Sequence, residues 1–572
     1  MQPDDPQSPQ HDPIPMPEGD AVQAPDAHLV DEKPKGLLGL IERIGNLLPD
    51  PIVLFVGGAL LVMLLSAVAV WGDWSVEMLR AQPMVDEAGQ VVIDPETGQP
   101  ALEFLPAVDA EGNVQVVRPR SLLSSDGLFW ALDSTVPSFI NFPPLGVVLV
   151  GMLGIGVAEK TGLFAALLRA FMLVVPQRLF TPMMVFLGIM SSLGLDAGYI
   201  VLPPLAAALY QKAGRSPLAG IAAVFAGIGA GFNANLVVTG LDPLLAGFSS
   251  TAAQVIDPDY TVAPTANWGF MFVSTFVITL VGWGVSAWIV EPRLSGRSES
   301  EGGASAGLGG VDLQSQRLTR DESRGLLGAG VTAFIVLVLI VVAALVPGAP
   351  LQGDEPAPPH FARWVAVIVP LIFLVFILPG LVYGIILGNI KSSADAAKAM
   401  TDAIVAVAPI IVLAFFAAQF IEYLKYTQLD QMLAYAGGSM LAEAQLPTWL
   451  LLIAFILLVG LFNLFIGSMS AKYAMVAPIF IPMLMIVGIS PELTQAAYRI
   501  GDSVTNTITP LNAYLVIILV FMQKHAKQAG MGTLISMMLP YSAAFLVVWI
   551  ALLLVWLGLG VPLGPAGPLS YP

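Results

Sequence analysis

The sequence predicts an all-α polytopic membrane protein, and composition, long apolar runs and an internal repeat support this prediction. Hydrophobic residues make up 56% of the 572 residues and charged residues only 11%, whereas a soluble domain is typically about 25% charged. Apolar runs such as 52–71, 326–346 and 364–387 reach the roughly 20 residues that cross about 30 Å of hydrocarbon. The chain therefore crosses a bilayer many times.

Cysteine and histidine usage limits the chemistry. The chain contains no cysteine and only four histidines, so disulfides and cysteine-ligated metals are excluded and a histidine metal centre is not expected. Residues 1–40 begin with an acidic, proline-rich stretch that buries nothing, and they predict a disordered cytoplasmic tail. The net charge of −17 comes largely from this tail and from a loop at 73–126. No feature indicates a nucleic-acid partner or a resident cofactor.

Two apolar stretches differ from the remaining candidate spans. The stretches 180–211 and 448–487 have glycine, serine or charge near their middle and proline on the return leg. We interpret each as a re-entrant hairpin, with an interfacial helix at 161–178. The sequence then predicts nine full crossings, at 52–71, 138–158, 217–245, 267–290, 326–347, 364–388, 402–421, 494–522 and 533–559.

Lysine and arginine orient these spans. With the N-terminus in the cytoplasm, most of the 24 lysines and arginines lie inside, as the positive-inside rule requires, and the C-terminus lies in the periplasm. The predicted organisation is a first membrane repeat at 41–291, a cytoplasmic linker at 292–325 and a second membrane repeat at 326–572. The loop 73–126 becomes an acidic periplasmic insertion, expected to be poorly ordered.

An internal repeat relates the two halves. When Asp196 is placed on Ser470, the segment DAGYIVLPPLAAALYQKAGRSPLAGIAAVFAG aligns without a gap with SAKYAMVAPIFIPMLMIVGISPELTQAAYRIG. Both contain a G-x-S-P turn. In the predicted topology the copies start from opposite sides, so the repeat is inverted. Inverted repeats are typical of alternating-access carriers, whose sites lie near the midplane, and predict an elevator-like ion-transporter architecture.

Each repeat contains a hairpin tip and an interrupted helix where polar groups reach membrane depth. The tips are 191–196, which includes Gly194 and Asp196, and 467–472, which ends at Lys472. A charge at this depth is usually functional, so Asp196 is a candidate proton or cation ligand or amine binder; its alternative role is a helix cap. Lys472 either acts in the site or extends along its apolar stem to the interface.

The interrupted helices supply the other candidates. Arg499 and Asp502 are spaced i, i+3 and face one way on a helix; we expect a pair in which Arg499 holds a substrate carboxylate and Asp502 orients it or carries a proton. Neutral oxygens and donors suited to Na⁺ coordination or substrate binding lie at the second tip and at both interruptions: Asn233, Asn235, Ser468, Asn506 and Thr509. Na⁺ or H⁺ is the expected coupling ion, and no other metal is expected.

The residues that carry these features resemble the p-aminobenzoyl-glutamate (AbgT) transporter family. The resemblance extends from IERIGN at 41–46 to GVPLGP at 560–565, over most of the chain. Its strongest segments are SSLGLDAGYIVLPPL, SPLAGIAAVFAGIGAGFNANL, TGLDPLLAG, VEPRLSG, SMSAKYAMVAPIFIPM and YRIGDS.

The resemblance implies a homodimer in the bacterial inner membrane, with nine spans and two hairpins per subunit. It implies transport of p-aminobenzoyl-glutamate or related aromatic amides and, for some members, export of sulfonamide antimetabolites by an antiporter. Within the family, function attaches to positions that correspond here to Asp196, Ser470, Pro491, Arg499, Asp502 and Pro510. Tyr473, a candidate substrate-binding residue, stands where the family usually has tryptophan. It keeps an aromatic face but adds a hydroxyl, which leaves the substrate preference open.

Other functions remain open from the sequence. A carrier of another small carboxylate would use the same residues. An ion channel needs a continuous pore, whereas the hairpins favour an occluded site. An intramembrane enzyme needs a zinc motif, a Ser-Lys pair or a cysteine nucleophile, and the sequence suggests none of them.

Overall fold

Helices dominate the fold. A computed structural model describes residues 51–84, 90–92, 102–109, 111–176, 179–194, 197–296, 298, 301–303, 318–352, 362–512 and 514–571. The predicted tail 1–40 and half of the linker 292–325, mainly 304–317, lie outside these residues. The helices of the first half are α1 (Pro51–Trp71), α2 (Ser125–Asp133), α3 (Thr135–Ile140), α4 (Pro143–Lys160), α5 (Leu163–Val174), α6 (Phe180–Met190), α7 (Ala197–Lys212), α8 (Pro217–Phe225), α9 (Leu241–Ala253), α10 (Trp268–Val285) and α11 (Glu291–Ser295).

The second half continues the helical pattern. Short π-helical segments, Ala226–Ala230 and Ser286–Val290, extend α8 and α10. The later helices are α12 (Arg320–Leu345), α13 (Arg363–Ala366), α14 (Ile368–Leu387), α15 (Ser393–Thr427), α16 (Leu429–Glu443), α17 (Thr448–Asn463), α18 (Met469–Ile486), α19 (Pro491–Val504), α20 (Tyr514–Gln523) and α21 (Met531–Leu559).

The insertion after α1 contains the named strands of the described chain. Strand β1 (Val76–Glu77) pairs antiparallel with β4 (Val116–Val117), and β2 (Leu79–Pro83) pairs antiparallel with β3 (Leu102–Pro106). The expectation of a poorly ordered insertion is therefore wrong for its described part. Residues such as Val116 and Val117 supply the β-branched side chains that favour strands, a signal that the acidic composition concealed.

Eight described helices are long and apolar enough to cross a membrane, and the prediction of an all-α polytopic membrane protein is confirmed. Seven of them match predicted crossings, and the eighth is α18, the second leg of the predicted hairpin at 448–487. The two other predicted crossings, 217–245 and 494–522, are each split. Non-helical chain at 231–240 separates the π-helical end of α8 from α9, and a similar segment separates α19 from α20. The sequence signal for interruption was correct at both positions.

The two repeats have matching backbones. The alignment that places Asp196 on Ser470 also places α7 on α18, α8 on α19 and α9 on α20. The glycine of each G-x-S-P turn, Gly214 and Gly488, has a positive φ of 70° and 79°, which glycine adopts without a steric penalty. Contacts between the repeats are reciprocal, because α9 packs on α18 and α20 packs on α7. Each repeat therefore places its broken helix against the hairpin of the other.

The remaining long helices surround this centre. Helices α1, α4, α12, α14 and α15 pack mainly on one another, while α10 and α21 pack on each other, on α6 and on α19. Only three of the 26 residues of α12 are buried, although its sequence is almost wholly apolar after the first turn. A helix with apolar residues on its exposed surface is suited to contact lipid, so these outer helices face the bilayer and leave the broken helices inside.

Candidate functional site

The chain interruption of the first repeat and helix α19 of the second repeat meet at one small pocket. Residues from the first break (Phe232, Asn233 and Asn235) line it together with Ser192 of the first hairpin and Arg499 of α19. Trp268 adds an aromatic wall, and its indole N–H donates to the Leu236 carbonyl at 2.8 Å. The free space is about 10 Å³, roughly enough for one water molecule. The pocket is therefore almost closed around its polar groups.

An ion pair joins the repeats at this pocket. The Arg499 guanidinium, 3% exposed, donates through Nη2 to Oδ1 of Asp242 in the first turn of α9. The other carboxylate oxygen of Asp242 accepts from the backbone N–H and hydroxyl of Thr239, at 2.6 and 2.8 Å. The expected Arg499–Asp502 pair is wrong, because residues at i, i+3 share only a general direction and each finds a partner on another helix.

Asp502 instead pairs with Lys472. Oδ1 of Asp502 lies 2.7 Å from the Lys472 ammonium, and the side chains are 1% and 0% exposed. The ammonium also donates to Oδ1 of Asn463 at the end of α17. The amide nitrogen of Asn463 donates to the Asp502 carbonyl at 2.6 Å and to Asn506 Oδ1 at 2.8 Å. Lys472 thus remains in the protein interior and does not extend to the interface.

Asn233 connects the first break to α19. Its amide nitrogen donates to the Ser503 hydroxyl at 2.8 Å and to Oδ2 of Asp502 at 3.2 Å. Asn235 donates to the Ser192 hydroxyl at 2.7 Å, which links the break to the first hairpin. The two asparagine side-chain oxygens are buried and, like Nε of Arg499, have no hydrogen-bond partner among the described residues. The pocket therefore presents two acceptors and one cationic donor.

The other predicted residues lie around this centre. Ser468 caps α18 by accepting from the Ala471 N–H at 3.4 Å, and the Thr509 hydroxyl donates to the Leu464 carbonyl at 3.1 Å. Pro491 is the first residue of α19, and Pro510 lies in the break after it. Gly194 ends the 3₁₀ turn of the first hairpin. Asp196 lies outside the described residues.

Two second-hairpin candidates point away from the pocket. Ser470 lines a separate, mainly apolar pocket between α4, α9 and α15. The Tyr473 hydroxyl lies 2.6 Å from the Ser249 hydroxyl of α9, and its ring tilts over Tyr498 with centroids 4.3 Å apart. The structure thus brings Asn233, Asn235 and Arg499 together at the pocket, with Asp502 directly behind, and places these two residues elsewhere.

Helix α19 carries more site residues than the sequence analysis named. Glu492 accepts from the Tyr260 hydroxyl at 3.0 Å, and Gln495 accepts from Asn267 and donates to Ser249 at 3.2 Å. With Arg499 and Asp502 they form one polar face inside the protein. Asp242, also missed, lies within the predicted span 217–245, and an aspartate followed by proline there is a typical helix-start signal. No sequence signal isolates Asn463.

Comparisons with known proteins identify the family of this chain. The model of the AbgT putative transporter family matches residues 36–571. The p-aminobenzoyl-glutamate transport protein of Escherichia coli K12 is 32% identical over 529 residues, covering 92% of this chain and 96% of the relative.

Two solved structures resemble the fold. The Neisseria gonorrhoeae transporter MtrF, described as an antimetabolite efflux pump, has a TM-score of 0.80 at 40% identity, covering 93% of this chain and all of the other. The Alcanivorax borkumensis transporter YdaH, described as having an unusual topology, has a TM-score of 0.78 at 38% identity, covering 90% of this chain and all of the other. This chain belongs to the AbgT transporter family.

Proposed function

We propose that the protein is a cation-coupled secondary transporter of p-aminobenzoyl-glutamate or related aromatic amides, and that it exports sulfonamide antimetabolites. The observation that carries the proposal is the position of Arg499. Its guanidinium is buried at the meeting point of the two repeats, and its Nε–H has no hydrogen-bond partner among the residues that the structure describes. A buried guanidinium at such a point is suited to bind a carboxylate, because its planar donors match the two oxygens.

The pocket residues fit the rest of such a substrate. Phe232 and Trp268 offer aromatic faces, on which a p-aminobenzoyl ring can stack. The side-chain oxygens of Asn233 and Asn235, which have no partner within the described part of the chain, can accept from an amide or aniline N–H. A substrate carboxylate would share the guanidinium with Asp242 or replace it. Since Asp242 belongs to the first repeat and Arg499 to the second, replacement would loosen a contact between them.

The nearly closed pocket supports alternating access. About 10 Å³ of free space admits a water molecule but no aromatic amide, so binding requires the repeats to separate. Coupling to H⁺ or Na⁺ supplies the driving force in this proposal. We further propose a homodimer in the bacterial inner membrane, with the N-terminus in the cytoplasm and the C-terminus in the periplasm; the lysine and arginine distribution supports this orientation.

Counterflow in proteoliposomes tests the proposal. Labelled p-aminobenzoyl-glutamate should exchange against unlabelled p-aminobenzoyl-glutamate and against a sulfonamide, and an imposed proton or Na⁺ gradient should drive net flux. Absence of exchange with both compounds, together with exchange of a simple aliphatic dicarboxylate, would assign the site to another carboxylate. Ion currents without substrate counterflow would indicate a channel.

Arg499→Lys tests the role of the guanidinium. Lysine keeps the positive charge but cannot make two parallel bonds, so we expect substrate affinity to fall about ten- to a hundred-fold, as loss of a charged hydrogen bond of about 1.5–3 kcal/mol predicts. Arg293→Lys is the matched control, because Arg293 is exposed and lies outside the pocket. Unchanged affinity in folded Arg499→Lys protein would remove Arg499 from the substrate site.

A further inference from the structure

The segment that follows α21, residues 560–571 and here called the strap, is bonded to both repeats. Its Leu563 carbonyl accepts from the Phe270 N–H in the first turn of α10 at 2.7 Å. Its Pro565 carbonyl accepts from the Thr265 hydroxyl at 3.0 Å, in the loop that leads into α10. One end of the strap is therefore attached to the first repeat.

The other end of the strap pairs with the G-x-S-P turn of the second repeat. The Tyr571 N–H donates to the Gly488 carbonyl at 2.9 Å. The Ser490 N–H donates to the Leu569 carbonyl at 3.3 Å, and its hydroxyl donates to the Pro568 carbonyl at 2.6 Å. Because this turn leads directly into α19, the strap joins the start of α19 to the start of α10.

The two ends of the strap are packed differently. A Cβ atom at Gly564 would lie 2.4 Å from the Thr265 carbonyl oxygen, and one at Gly567 would lie 1.9 Å from the Ala266 carbonyl oxygen. The strap therefore fits the first repeat so closely that neither position has room for a side chain. At the turn 488–490, by contrast, the strap backbone is held by a single isolated bridge. We therefore expect this second end to be the one that releases.

The strap lies beside the contacts that join α19 to the loop before α10. In these contacts the Tyr260 hydroxyl donates to Glu492 at 3.0 Å, and the Asn267 amide donates to Gln495. Trp268, the next residue in the chain, lines the pocket. Because the strap is bonded to both sides of this contact, α19 and the loop cannot separate while the strap is in place.

We propose that the strap is the gate of the pocket on this side of the protein: its release from the turn 488–490 lets α19 and the loop before α10 separate, and the pocket opens. The free space of about 10 Å³ shows why an opening is needed. The consequence for transport rests on the proposed function, since alternating access requires one such opening. Opening of a segment that closes a site often limits turnover.

A disulfide across the bridge tests the gate. The chain has no cysteine, so two introduced cysteines have only each other to pair with inside one chain. Ile489 and Ser570 are opposite each other in the bridge, between two backbone hydrogen bonds. Such partners have Cα atoms about 4.5 Å apart, within the range that a disulfide spans. Ile489→Cys combined with Ser570→Cys should lose p-aminobenzoyl-glutamate counterflow on oxidation and regain it on reduction.

The insertion after α1 offers a matched control for this disulfide. Val108 and Val114 are partners in another isolated antiparallel bridge with the same flanking hydrogen bonds, and both belong to the insertion. Oxidation of Val108→Cys combined with Val114→Cys should leave counterflow unchanged. Mass spectrometry verifies each disulfide. Counterflow at the reduced rate in fully oxidised protein with cysteines at 489 and 570 would overturn the proposal.

Amide hydrogen exchange measures the gate without any substrate, because it reports local opening. Oxidation of the cysteine pair at 489 and 570 should slow exchange in the pocket segment 231–240, since the pocket no longer opens on this side. The control pair should leave this exchange unchanged. Equal exchange in 231–240 before and after oxidation of the pair at 489 and 570 would overturn the gate.

The two measurements separate the gate from the proposed function. Absence of counterflow in the unaltered protein, together with slowed exchange on oxidation, would support the gate and contradict the proposed function. Counterflow that survives complete oxidation would overturn only the gate.

A proline substitution tests the same end of the strap if the cysteine pair does not fold. Tyr571→Pro removes the N–H that donates to Gly488, whereas Tyr571→Ala removes the same ring and keeps this N–H. Exchange in the pocket segment 231–240 should be faster in Tyr571→Pro than in Tyr571→Ala. Equal exchange rates in the two variants would contradict the gate.

Discussion

The interrupted helices of the two repeats share a backbone but differ in chemistry. The first, α8 with its π-helical end, has the sequence PLAGIAAVFAGIGA and is uncharged and buried throughout. The second, α19, has the sequence PELTQAAYRIGDSV and is equally buried, yet it carries Glu492, Arg499 and Asp502. The same fold element therefore serves as packing in one repeat and as the polar centre of the site in the other.

The two repeats share the positions of their helix breaks and the neighbours of those helices, but they do not share their charged residues. The paired glycines, prolines and turns set where each helix breaks and which neighbour it contacts. The charges are not paired by the symmetry: Asp242 comes from the first repeat, while Lys472, Arg499 and Asp502 come from the second. The Arg499–Asp242 pair crosses between repeats and the Lys472–Asp502 pair does not. Relative movement of the repeats would thus break the first pair and preserve the second.

Leucine substitutions at two positions related by the repeat should give the largest difference in the free energy of unfolding. Phe225 is the repeat counterpart of Arg499, and both are buried. Arg499→Leu leaves Asp242 as an uncompensated buried charge, which typically costs about 3–5 kcal/mol. Phe225→Leu exchanges one apolar side chain for another and should cost roughly 1–2 kcal/mol. The free energy of unfolding in mixed micelles measures both, and equal losses would contradict the contrast.

A double variant separates the effect of the Arg499–Asp242 charges on stability from their effect on transport. Arg499→Leu combined with Asp242→Leu removes both charges, and apolar replacement of a buried ion pair is often neutral or stabilising. We expect the double variant to regain most of the stability lost by Arg499→Leu and to remain inactive in counterflow. Restored transport would show that the pair has a structural role only.

The shared backbone predicts equal effects at a second pair of positions. A Cβ atom at Gly227 would lie 2.2 Å from the Val185 carbonyl oxygen, and one at Gly501 would lie 2.5 Å from the Ile456 carbonyl oxygen. Both helices therefore approach the first leg of their hairpin too closely for alanine. We expect Gly227→Ala and Gly501→Ala each to cost about 1–3 kcal/mol, as overpacking does.

The thermal midpoint of each glycine variant measures this effect. Gly146→Ala in α4 is the control, because a Cβ atom there meets no atom within 4 Å. A large loss at Gly501 with none at Gly227 would show that the repeats differ in packing as well as in chemistry.

The sequence predicted backbone features better than contacts. The length of the apolar runs identified seven of the long helices, and the glycine and proline positions shared by the two repeats located both interruptions. These signals are local or periodic, so one chain suffices to detect them. The insertion was misjudged because its strands are short and lie among acidic residues.

The sequence spacing of Arg499 and Asp502 could not identify their ion-pair partners. Arg499 and Asp502 share a helix face, but each reaches another helix, and whether it meets Asp242 or Lys472 depends on tertiary packing. Asn463 has no unusual neighbour in sequence and becomes important only because the end of α17 touches the end of α19. Tyr473 was expected at the substrate site from the family pattern, whereas its hydroxyl contacts Ser249 on α9.

The smallest predicted effect concerns the contact between Tyr473 and Ser249. Tyr473 and its repeat counterpart Tyr199 both reach the opposite repeat: Tyr473 lies 2.6 Å from the Ser249 hydroxyl, while Tyr199 stacks on Tyr514 with ring centroids 3.9 Å apart. Tyr473→Phe removes one hydrogen bond and keeps the ring, so it should cost about 0.5–1.5 kcal/mol. The Ser249 hydroxyl keeps the hydrogen bond that it accepts from Gln495. A double-mutant cycle with Ser249→Ala, measured as free energy of unfolding, should give a coupling of that size; zero coupling would show that the Tyr473–Ser249 hydrogen bond does not stabilise the fold.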